Sequence, residues 1–329
     1  MTASPRAAFA AALASVAVLT ALLTSCAPTP APETDASRTP TPEPTVSAPA
    51  EPRAAFDGDC SAVLTAQEVS EATGETMSVW AASWPDGRDR ALGGVTCAWS
   101  SEHYLAATVT ARVFPVVVMD PEYVPDDPAT ECDDDPTRCR SAAVFDDVWV
   151  EVTVTGDRAA EMTSAIEGLR DGIGARVAAE QAPVPGPREN WWSPAPTCDE
   201  IQEGLAGGEI TATLTAPGAD RPAMFLGGPL ERSCMLAATV DGSDYSTLVT
   251  VRAGAGDAVE AVIAADGDAR VEHDGHVFAT AGEQYAIDGA TSVLLGAVGP
   301  NLVQLERYDV DGGVQADARV LAAIVGVLD

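Results

Sequence analysis

No lysine occurs in this chain; its 18 basic residues are all arginine and stand against 50 acidic ones, giving a formal charge of −32. Phosphate backbones are recognised by clustered Lys and Arg, so nucleic acid is not an expected partner. Without lysine there is no Walker-type phosphate loop and no Schiff-base amine. Only three histidines are present, His103, His273 and His276, which leaves few general bases. The Gly-x-Ser-x-Gly elbow and the Cys-x-x-Cys pair are both missing, and with them the usual marks of a serine hydrolase and a structural zinc. These absences disfavour catalysis, and neither cofactor nor metal is expected. An enzyme working with carboxylates alone, such as a glycosidase, passes the filter because it needs just two placed acids.

Long apolar runs are scarce too, and the notable one, residues 7–23, comes after a short basic start at Arg6. That is the layout of a secretory signal. The run closes on Leu23-Thr24-Ser25-Cys26, which resembles the lipobox of bacterial lipoproteins. The resemblance implies cleavage before Cys26 and a diacylglyceryl group on its thiol. Two acyl chains anchor a protein stably where one does so marginally, so the expected product sits on the outer face of the cytoplasmic membrane. Residues 1–25 are then signal peptide, and residues 26–56 carry the lipid and a tether. Within 27–55 there are eight prolines and five threonines and hardly a large apolar side chain. Such a stretch buries too little to fold and spans at most roughly 90 Å at about 3.1 Å per residue.

From residue 57 onward the chain carries an internal repeat. Cys60 and Cys97 are 37 positions apart, Cys198 and Cys234 are 36. Near each first cysteine lies a capping box, Thr65 with Glu68 and Thr197 with Glu200; Leu64 and Val69 supply a staple and Gly74 a stop. Alternating segments 104–114 and 245–253 read as matching strands, as do 148–155 and 302–308. Helices are expected over 159–173 and 314–328, the second with Val320, Leu321, Ile324, Val325 and Leu328 on one face. Its length, with Asp317 and Arg319, is wrong for a membrane span. Residues 181–197 hold the prolines of a boundary. The expected fold class is α+β: two tandem similar domains, 57–180 and 198–329, each an antiparallel sheet with an opening and a closing helix on one face.

Seven cysteines are odd in number, and lipidation of Cys26 leaves six. The repeat favours Cys60 with Cys97 and Cys198 with Cys234, leaving Cys132 with Cys139. Closing a loop of about 38 residues contributes roughly 4 kcal/mol in the chain-entropy model. The lipobox, the tether, the opening Asp59-Cys60-Ser61-Ala62-Val63-Leu64 and the strand Cys97-Ala98-Trp99 together resemble uncharacterised actinobacterial cell-envelope lipoproteins. The likeness covers mainly residues 20–180; the second half departs from it, with Met235-Leu236 in place of Ala98-Trp99. It implies location and fold, and no particular chemistry.

Candidate chemistry is sparse. His273-Asp274-Gly275-His276 reads as a two-residue hairpin with a type I′ turn; it pairs two imidazoles but offers no third ligand. Glu131, Asp133, Asp134 and Asp135 crowd the small Cys132–Cys139 loop without the spacing of a calcium loop, and Asp309-Val310-Asp311-Gly312 is a weaker fragment of one. Trp80 with Trp84, and Trp191 with Trp192, are the paired tryptophans in a chain only 5% aromatic. They are candidates for ligand contact, or else cover an interdomain seam. The expected function is a non-catalytic binding or accessory lipoprotein with an envelope protein or glycan partner; the alternative is a carboxylate- or metal-dependent envelope hydrolase.

Overall fold

In the computed structural model the opening of the first half is built from the signals its sequence carries. Asp59 accepts the Ser61 amide at 2.8 Å and caps a short helix, α1 (Cys60–Val63). Thr65 and Glu68 close a reciprocal capping box on α2 (Ala66–Thr73), and Gly74 ends it in the left-handed conformation. Next in the chain come strand β1 (Met77–Trp80), a helical turn α3 (Arg88–Ala91), and strands β2 (Val95–Ser101), β3 (Thr108–Pro115), β4 (Ala129–Cys132), β5 (Arg138–Phe145) and β6 (Val148–Thr155), then α4 (Thr163–Val177). The structure describes residues 51–80, 87–101, 107–133, 137–208, 210–216, 224–240, 242–281, 292–307 and 313–329. Cys26, the tether as far as residue 50, Trp84, His103, Asp134, Asp135 and residues 309–312 lie outside them.

The six strands form one antiparallel sheet in the order β1-β2-β3-β6-β5-β4. Val95, Cys97 and Trp99 on β2 and Val148, Val150, Val152 and Val154 on β6 point to one face, where they pack with Val63, Leu64 and Val69 and with Ile166, Leu169 and Ile173 of α4. Alternation along the strands and the 3.6-residue period of the helix thus meet on a common core. Arg176 of α4 also bonds Glu68, tying the closing helix to the opening one.

The second half repeats this plan: α5 (Cys198–Leu205) with its own capping box, β7 (Thr211–Thr215), β8 (Glu231–Val240), β9 (Ser243–Arg252), α6 (Ala258–Ala265), β10 (Arg270–His273), β11 (His276–Ala281), β12 (Ser292–Val298), β13 (Asn301–Arg307) and α7 (Gly313–Leu328). Its sheet, β10-β11-β12-β13-β9-β8-β7, is the first one read backwards with β10 added at the edge. The repeat holds to the residue. Cys97 pairs with Ala111, which pairs with Val152; Cys234 pairs with Val249, which pairs with Leu305. Disulfides Cys60–Cys97 and Cys198–Cys234, with Cα separations of 5.5 and 5.7 Å, therefore pin the opening helix to the same site on each sheet. The third, Cys132–Cys139, joins directly opposed residues of β4 and β5.

Helix α6 is an element the sequence patterns do not announce. It covers the second face of its sheet, where Ala258, Val259 and Val262 pack on Val293, Leu295 and Leu302. The strand limits also shift: β3 runs to Pro115, β9 covers Ser243–Arg252, and each second cysteine lies inside its strand rather than at its start. A 3-10 turn, Ala159–Met162, precedes α4, so that helix begins later and ends later than its apolar stripe suggests.

Both sheets belong to one compact unit, Pro49–Asp329, and share a further core. Leu92, Phe114, Val118, Met119 and Trp149 from the first half meet Phe225, Leu230 and Ala253 from the second. Met119 and Phe225 form an antiparallel bridge, with Leu226 N–H donating to Val118 at 3.0 Å and Asp120 N–H to Met224 at 2.9 Å. Phe114 and Phe225 stack edge to face at 5.1 Å.

Candidate functional site

The proline-rich stretch between the halves is strapped down. Val184 exchanges two backbone hydrogen bonds with Arg53, each 2.8 Å, and Gly186 N–H donates to Ala91 at 2.7 Å. Further along the chain, the buried Asn301, first residue of β13, acts as a pin. Its Oδ1 accepts the amides of Trp192 at 3.0 Å and Gly254 at 3.2 Å, and its Nδ2 donates to Asn190 at 3.0 Å and Val298 at 3.3 Å. With its amide fully used, Asn301 fixes Trp191 and Trp192 against the end of β9. Gly254 has a positive φ of 70°, and an added side-chain carbon there would stand 2.1 Å from the Trp191 ring. Only glycine allows the indole to seat on the backbone at this point.

Around that indole opens a cleft of about 220 Å³ lined by Gly87, Ala91, Pro187, Trp191, Gly254, Asp257 and Pro300. It gathers the first half, the connecting stretch and the second half. Asp257 is its charged group. Burial pushes its carboxyl up, amide donors at its own position and Ala258 pull it down, and nearby Glu260 raises it further. No guanidinium acts on it among the described residues. Gly87 stands close by, since a side-chain carbon added there would come within 2.5 Å of the Asp257 carboxylate.

Two other acids are committed to arginine. Glu231, at the start of β8, meets Arg252 at 3.0 Å and, across the seam, Arg88 at 3.0 Å. Burial opposes its charge, yet Arg252 and then Arg88 hold the carboxyl down at about 2, with Arg112 adding to the pull. Glu151, on β6, is fully buried: Arg112 bonds it at 2.8 Å, Arg140 lies at 3.7 Å, and the Tyr123 hydroxyl donates at 3.2 Å. Burial first, then the Glu151 charge, pushes the Tyr123 phenol up. Arg140 also spans Glu131 at 2.9 Å and covers the Tyr123 ring.

The sequence candidates are thereby distributed rather than assembled. Trp191 and Trp192 both pack on the shared core, and Trp191 also faces the cleft. Trp80 is 40% exposed on the sheet edge formed by β1, apart from that cleft lining. His273 and His276 are paired across β10 and β11 around Asp274 and Gly275, whose φ angles of 47° and 83° make the expected turn. His276 stacks on Phe278, and His273 Nε2 lies 3.3 Å from Asp274. Among the described residues no three His, Cys, Asp or Glu are placed to hold a metal, and no helix is long and apolar enough to cross a membrane. Sequence reasoning missed Asp257, Asn301 and Glu231. Asp257-x-x-Glu260 has the spacing of a helix start, but the Asp257 side chain makes no cap hydrogen bond to α6. Compared with known proteins, the chain matches no family model, no curated protein and no solved structure.

Proposed function

We propose that this protein is a lipoprotein of the cell envelope that binds a partner or ligand at the seam between its two sheets and carries out no chemistry on it. The observation that carries the reading is the cleft itself, where three parts of the chain converge. An indole is seated there on Gly254 and pinned through Asn301, beside a carboxylate that no arginine among the described residues neutralises. Ligand sites favour such junctions. An envelope hydrolase working by carboxylates calls for a pair, one of them kept protonated. Here Glu231 and Glu151 are bonded to arginine, and Glu260, the acid that acts on Asp257, is not among the residues that line the cleft, which suits binding better than proton transfer.

The anchor belongs to the same proposal. Leu23-Thr24-Ser25-Cys26 and the tether support acylation at Cys26 and display outside the cytoplasmic membrane, in the manner of the actinobacterial lipoproteins the chain resembles. Two measurements test it. Mass spectrometry of the mature N-terminus is expected to find Cys26 first and carrying a diacylglyceryl group; an unmodified Cys26 refutes the anchor. A photoreactive residue at Pro187, on the cleft rim, is expected to capture an envelope component in living cells, where one at Glu272 on the β10–β11 hairpin, outside the cleft lining, does not. Equal capture from both positions refutes the site.

A further inference from the structure

Among the residues that line the cleft, Asp257 is the one carboxylate. Glu231, Glu151, Glu131 and Asp89 each have an arginine within 4 Å, whereas Asp257 has no basic partner among the described residues. It is exposed at the cleft with a second acid, Glu260, nearby, and the residues that line the cleft include this carboxylate and no basic side chain. Next to it stands the Trp191 indole, the ring best suited to hold a cation. The space between them, about 220 Å³, is smaller than a pocket for a drug-sized ligand and of the order of a single long side chain. We infer that the cleft receives the cationic side chain, lysine or arginine, of a basic partner protein, with Asp257 as its counter-ion and Trp191 as its stacking face. The net charge of −32 draws such a partner towards the surface and steers its approach. The inference rests on the reading of the cleft as a binding site and adds the chemical class of what enters it.

The absence of lysine makes the test unusually clean. A water-soluble carbodiimide joins a carboxylate to a primary amine as an amide with loss of water, taken up by the reagent, and this chain has no side-chain amine of its own. Amide crosslinks to an added lysine peptide are therefore intermolecular. The purified full chain is treated with carbodiimide and the probe acetyl-Ala-Lys-Ala-amide, and the modified carboxylates are mapped by mass spectrometry. Asp257 is expected to be labelled well above the other exposed acids. An arginine peptide, which cannot crosslink, is expected to compete, and its glutamate counterpart is not. Asp257→Asn is expected to remove the preferred label. Trp191→Leu is expected to lower it roughly three- to tenfold, the size of a cation–π contact, while Trp191→Phe, which keeps a ring, retains most of it. Labelling spread evenly over surface acids overturns the inference. In the photocapture from Pro187, loss of the adduct in Trp191→Leu but not in Asp257→Asn leaves a binding cleft that takes something other than a cation. Loss in neither variant removes the binding site as well.

Discussion

Because the repeat is in register, single residues are directly comparable between the two halves. Glu151 and Gln304 occupy equivalent places, each one residue before the strand position opposite the disulfide-bearing row. Their cross-strand partners are Arg112 and Thr250. The first half thus buries a charge with a guanidinium beside it, and the second buries a neutral amide that donates to Glu306. Gln304→Glu would place an anion beside Glu306 with no arginine opposite. We expect a loss of about 3–5 kcal/mol, the range for an uncompensated buried charge, read by denaturant unfolding. Asn301→Ala removes the acceptor of two amides and the donor to Asn190; it should cost about 1–3 kcal/mol and raise the solvent exposure of Trp191, seen as a red shift in its emission. Neither effect is readable from the sequence. Polar residues that end up buried look there like any others on a strand, and only the cross-strand register tells Glu151 from Glu131.

At the level of elements, the helix starts are the best-read feature. Thr65→Ala and Thr197→Ala each remove one side of a capping box and should cost about 1 kcal/mol apiece, additively, since they lie in different halves. The boxes, Gly74, the His273–His276 turn and the three disulfides follow from local signals, because capping, positive φ and cysteine pairing within a repeat depend on neighbours or on spacing. Helix α6 does not. Residues 258–265 are apolar almost throughout, even at the exposed Ala264 and Ala265, so no polar stripe marks it. The α3–β8 contact is likewise invisible in the sequence, joining residues 143 positions apart. Its ion pair predicts a pH window. The Glu231 carboxyl titrates near 2 when folded against an ordinary value of 4.5. Being depressed, it adds stability that is complete above about pH 4.5 and is lost as pH falls towards 2. Glu231→Gln should therefore be less stable than the parent at neutral pH, with the difference shrinking through that acidic range. The gap should also narrow in high salt, because the side chain is 41% exposed.

For the whole molecule, the question is whether two similar halves act as two or as one. The shared core answers it physically: Phe225 is buried against Phe114 across the antiparallel bridge at Met119. Phe225→Ala should cost about 3–5 kcal/mol and split a single calorimetric transition into two, since the second half loses its edge-to-face contact with Phe114. The α+β class and the tandem sheets were readable from the cysteine spacing and strand alternation. The seam was not, because it is made by residues far apart in the chain. The tryptophans pointed towards it only in part, through Trp191 and Trp192.

That this seam is the working surface is tested most directly by hydrogen–deuterium exchange on the full chain with and without its native envelope fraction. The expected result is new protection at 87–91, 187–191 and 254–257, the segments that line the cleft, with the hairpin at 270–277 unchanged. Protection at that hairpin or along β1, with the cleft segments unaffected, would contradict it.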